Sequence, residues 1–180
     1  MPLKCGITDY VNLLGKELKE KGHTVQIKTI DSTKDFTPVS QNLPDSDLYS
    51  LQFAPYAFSP NGLSRKKLVP LANLLTHKLT HVNFHEIWIG AYPNVKWKEK
   101  TIGWLQKREI NNFINICKPA SITCSNSAAL DRMCKAGIDT NYLYLFGNIP
   151  YSPNKKYKSS NILKVATFGT LYEKFPYDKL

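Results

Sequence analysis

Residues 121–150 constrain the fold more than any other part of the chain. Ile122 and Cys124 mark a short apolar strand over 121–125, which leads into a short capped helix. Ala128, Ala129, Leu130 and Met133 carry a helix over 126–136, and Gly137 stops it. Residues 142–146 (Tyr-Leu-Tyr-Leu-Phe) read as a second strand, which leaves through Gly147-Asn148-Ile149-Pro150. Two strands joined through a helix form a crossover unit, so they run parallel in one sheet.

The same alternation runs through the rest of the chain. Tyr10, Leu13, Leu14 and Leu18 give residues 7–21 the apolar spacing of a helix, with Thr8 as its N-cap and Gly22 as its stop. Residues 24–30 alternate as a strand. Helix, turn and strand make the second half of a βαβ unit, which calls for a strand before Cys5; five residues are too few to supply it. Further strands are expected over 47–53 and 78–86, and helices over 65–75 and 98–117. Residues 54–64 and 87–95 read as loops. Residues 151–161 are a Pro/Lys/Ser/Asn linker, and the apolar run ending in Phe168-Gly169-Thr170 reads as a strand entering a glycine turn. The expected architecture is α/β: a Rossmann-like parallel sheet flanked by helices. It occupies residues 1–150, and 162–180 open a second domain.

The formal charge is +10 over 180 residues. Between Leu48 and Leu130, ten Lys/Arg face three acids, so the middle of the chain carries +7 of it. Such a field favours an anionic partner such as a nucleotide diphosphate, an anionic membrane surface or nucleic acid, and it equally suits a solvated basic surface. No aromatic–basic RNA signature or helix-turn-helix pattern accompanies it, so nucleic acid is not expected. Cys5, Cys117, Cys124 and Cys134 form no Cys-x-x-Cys pair or zinc spacing, which points to reduced thiols and a cytoplasmic protein. No run of 18 apolar residues is present to span a membrane. His77, His81 and His85 are spaced by four, but on a strand His81 and His85 stand about 13 Å apart, too far for one metal. No metal site is expected.

Two segments carry candidate chemistry. Cys5-Gly6-Ile7-Thr8-Asp9-Tyr10 opens a helix, where free N–H groups and a small residue suit a phosphate or sugar hydroxyl, or where Thr8 and Asp9 simply cap it. His85-Glu86 follows a strand and precedes a long loop, where α/β sheets bind ligands. His85 can hydrogen-bond a substrate there, with Glu86 orienting it, or the pair can hold its own loop. Phe53, Tyr56 and Phe58 can stack on a sugar or pack their loop. Lys96, Lys98, Lys100, Lys107 and Arg108 can meet phosphate or acidic lipid, or form a solvated face.

In order and spacing, these segments resemble the N-terminal half of group-one, family-four-like glycosyltransferases of the two-Rossmann (GT-B) architecture. Gly6-Ile7-Thr8-Asp9-Tyr10 is similar to their Gly-x-Gly-Asp-Tyr loop, with the second glycine missing. Phe84-His85-Glu86-Ile87-Trp88 is similar to the segment whose histidine lies near the donor sugar. Phe168-Gly169-Thr170 is similar to the turn where the donor diphosphate docks. The resemblance implies sugar transfer from a nucleotide diphosphate sugar, with no further cofactor, to a sugar or lipid-linked acceptor in polysaccharide or glycoconjugate assembly. His85 and Glu86 would be catalytic, and Gly6, Thr8, Gly169 and Thr170 would bind the donor. It also implies donor-binding carboxylates in a second domain beyond residue 180, so these 180 residues would be an inactive fragment. A peripheral contact with the inner membrane face fits the charge. The alternative expectation is a non-enzymatic basic module that docks on anionic membrane or a partner chain.

Overall fold

A computed structural model of the chain describes residues 6–30, 43–90 and 95–147. All of them fall in one compact unit, Met1–Asn148; Gly169, Thr170 and the strand expected before them lie outside the described residues.

The elements are α1 (Gly6–Glu20), β1 (Tyr49–Phe53), α2 (Pro55–Phe58), α3 (Arg65–Leu75), β2 (Thr80–Phe84), α4 (Trp97–Cys117), β3 (Ser121–Cys124), α5 (Ser127–Lys135) and β4 (Asn141–Tyr142). The four strands pair in the order β1-β2-β3-β4, and every ladder is parallel. This is an α/β sheet with flanking helices, consistent with a Rossmann-like fold. No described helix is long and apolar enough to cross a membrane.

Side chains along a strand alternate between the two faces of the sheet. Leu51 and Phe53, Val82 and Phe84, and Ile122 and Cys124 share one face. Leu68, Leu71, Ala72 and Leu75 of α3 pack on it, with Ile110, Phe113 and Cys117 of α4 and Ala129 and Met133 of α5. Crossovers between strands that advance in one direction put their helices on one face. The apolar core is therefore one-sided. The other face carries Ser50 and Gln52, His81 and Asn83, and Ser121 and Thr123. Strands of a parallel sheet covered on both sides are apolar throughout. These alternate, so one face is polar.

Local chemistry sets the element ends. Asn126 accepts the Ala129 N–H at 2.7 Å and caps α5, and Gly137 ends it at φ +78°. Lys118 closes α4 in the left-handed conformation. Glu109 of α4 accepts the N–H of Ser64, the residue before α3, at 2.6 Å.

Four expectations need correction. Residues 24–30 form no strand. Val25 and Ile27 instead pack back on α1, where Gly15 leaves them room, and no described strand lies beside the segment to pair with it. The last strand stops at Tyr142, although Leu143 N–H still bonds Cys124 O at 2.9 Å. Residues 54–64 contain the single turn of α2, started by Pro55 at its first position. Thr8 is not the cap of α1, because Gly6 already belongs to the helix.

Candidate functional site

His85 lies one residue beyond β2, on the polar face at the C-terminal ends of the strands. Its backbone N–H bonds Phe53 O at 3.0 Å. Its Nε2 lies 2.8 Å from Gln52 Oε1, and its ring meets Tyr10 of α1 edge-on with centroids 5.2 Å apart. Phe146 stacks on Tyr10 with ring centroids 4.7 Å apart. The helix start and the strand-end histidine, far apart in sequence, thus meet through Tyr10 and His85.

Beneath His85 the polar face is wired into a closed ring. Gln52 Nε2–H donates to Ser50 Oγ at 2.9 Å, and Ser50 O–H donates to His81 Nδ1 at 2.9 Å. His81 Nε2–H donates to Thr123 Oγ1 at 2.8 Å, and Thr123 O–H to Asn83 Oδ1 at 2.9 Å. Asn83 Nδ2–H returns to Gln52 Oε1 at 3.0 Å. Each of the five side chains donates once and accepts once around the circuit, and it closes with every member neutral.

The ring dictates the chemistry of His85. Gln52 Oε1 can only accept, so His85 Nε2 must carry the proton. Asn83 Nδ2 lies 3.3 Å from the same Nε2, and both donors converge on that one oxygen. His85 Nδ1 is then an unprotonated acceptor, and it makes no hydrogen bond among the described residues. Burial pushes the titration of His85 and of His81 below the usual histidine value of 6.5. At neutral pH His85 presents a lone pair, not a charge. Burial also raises Tyr10, which stays a neutral phenol.

The loop after His85 is anchored from the opposite layer. Gln106 of α4 is buried; its Oε1 accepts Ile89 N–H at 2.9 Å, and its Nε2 donates to Gly62 O at 3.2 Å. Gly103 lets the helix approach the Ile89 carbonyl, because a Cβ there would strike that oxygen. Gly90 turns at φ +83° against the first turn of α4.

The other candidate residues divide. Glu86 is exposed and its side chain has no hydrogen-bond or ion-pair partner among the described residues. Gln52, not Glu86, holds His85. Gly6 and Thr8 are exposed on the first turn of α1, and a Cβ at Gly6 would meet nothing within 4 Å. Phe53 and Phe58 stack together in the core at 5.2 Å, while Tyr56 stays exposed. Cys117 and Cys124 are buried, and burial raises both thiols. No cluster of His, Cys, Asp and Glu able to hold a metal exists among the described residues.

Sequence reasoning missed Ser50, Gln52, Asn83 and Thr123 as a group. Their signal was the polar residue at every second position of three consecutive strands. No family model, curated protein or solved structure matches this chain.

Proposed function

We propose that this chain supplies the acceptor-side domain of a nucleotide-sugar-dependent glycosyltransferase. The observation that carries the reading is the meeting of Tyr10 and His85 at the C-terminal ends of parallel strands. These lie in two of the three segments whose residues resemble such enzymes. A neutral imidazole with a free Nδ1 accepts a hydrogen bond from a sugar hydroxyl, which suits acceptor binding and removal of the hydroxyl proton as it attacks. The first turn of α1 leaves N–H groups for the donor phosphates or a sugar oxygen, beside Gly6 and Thr8. The donor is a nucleotide diphosphate sugar, the acceptor is a sugar or lipid-linked hydroxyl, and no metal or other cofactor takes part.

Saturation-transfer NMR with nucleotide diphosphate hexoses and simple hexosides tests this. Sugar protons should receive saturation from the wild-type protein and lose it in His85→Ala, whose circular dichroism stays unchanged. In a sugar-transfer assay the same substitution should lower turnover by about 10²-fold. Absence of saturation transfer from a folded wild-type chain, across the whole panel, leaves His85 with a structural role only.

A further inference from the structure

The outward face of α4 carries an arrangement that neither the core nor the site explains. Trp97 and Trp104 are 79% and 59% exposed. They are seven residues apart, close to two helical turns, and so lie on one face. At about 100° per residue that face is opposite Gln106, Ile110, Phe113 and Cys117, the residues α4 buries. Thr101 and Arg108 share it, with Lys98 and Lys100 at its margins. The Arg108 guanidinium lies 5.8 Å from the Trp104 ring centroid. The two acids of α4 are elsewhere: Glu109 bonds Ser64 N–H, and Glu99 lies about 200° around the helix from Trp97.

A packed helix turns charge and small polar groups to water, and an indole left in water costs free energy. Two indoles at the centre of a solvent face therefore need a partner. A second copy of this chain would bring the same cations against these, at +10 per molecule. Lipid headgroups over hydrocarbon satisfy both features, since Trp partitions to that boundary and Lys/Arg pair with anionic headgroups. We infer that the Trp97–Thr101–Trp104–Arg108 face of α4 is a docking surface for an anionic lipid bilayer. The inference is independent of sugar transfer. Trp88, in the loop after His85, has Lys107 of α4 5.5 Å from its ring centroid, so the loop at the site and the docking helix are in contact.

Tryptophan emission tests it on the full chain. Vesicles of phosphatidylcholine with about 30 mol % phosphatidylglycerol should shift the emission to the blue, and pure phosphatidylcholine should not. Raising salt to about 0.5 M should weaken the binding. Trp97→Ala/Trp104→Ala should lose about tenfold or more in vesicle affinity, with unchanged circular dichroism because both side chains are exposed. Arg108→Glu should weaken it as well. Anionic vesicles that leave the wild-type emission unmoved, or that bind the double variant as tightly, would overturn the inference. So would a single-stranded oligonucleotide that quenches Trp97 and Trp104 and displaces the protein from vesicles, since the face would then serve nucleic acid.

Discussion

Gln52 is the residue on which the site turns. It closes the hydrogen-bonded ring, and it is the side chain that holds His85 at Nε2. Replacing it by a carboxylate makes the imidazolium the favoured form. Gln52→Glu should therefore move the His85 titration from below 6.5 to above it, by about one unit or more; an unmoved titration in an NMR pH series would show that the two side chains are not bonded. The same burial sets a pH dependence for the fold. Both His81 and His85 have folded values lowered below 6.5, so near and below that pH the unfolded chain binds protons that the folded chain does not. Their contribution is complete above 6.5 and is lost as pH falls toward the folded values. The urea midpoint should drop between about pH 7.5 and 5.5, and the drop should shrink in His81→Gln; equal midpoints for wild type at both values would contradict the ring. His85 was legible in the sequence from its place at a strand end. Its partners were not, because a hydrogen bond between neighbouring strands joins residues 31 to 42 positions apart, which periodicity along one strand does not reveal.

At the scale of elements, α3, α4 and α5 were legible within a few residues. Each has a one-sided apolar stripe, and two have a local stop: Cys117 before Pro119 in α4, and Lys135 before Gly137 in α5. Residues 24–30 show the converse. Their alternation is a strand pattern, but a strand exists only where a neighbour supplies its hydrogen bonds, and that depends on residues elsewhere in the chain. The contact between α4 and the loop after His85 was likewise hidden, since Gly103 within a helical pattern reads only as a weak position. Its place against the Ile89 carbonyl gives it a different weight. Gly103→Ala should destabilise the protein by about 1–3 kcal/mol despite the higher helix propensity of alanine, because the added methyl meets backbone. Chemical denaturation measures this, and a stabilised Gly103→Ala variant would mean that the loop does not approach the helix as described.

Across the whole molecule, an all-parallel sheet carries its core on one face and a polar network on the other. The alternating crossovers made the α/β class legible; the unequal faces follow from three helices packing on the same side. That asymmetry leaves His85, Tyr10 and Phe146 at the polar end, where a hydroxyl-bearing ligand can meet a neutral imidazole. The central claim is that His85 stands there as an oriented, uncharged acceptor. A long-range ¹H–¹⁵N NMR experiment on the histidine rings tests it directly. His85 should carry its proton on Nε2, titrate below 6.5, and shift at Nδ1 when a hexoside or nucleotide sugar is added. A proton found on Nδ1, titration at or above 6.5, or an Nδ1 resonance indifferent to every added sugar would contradict it.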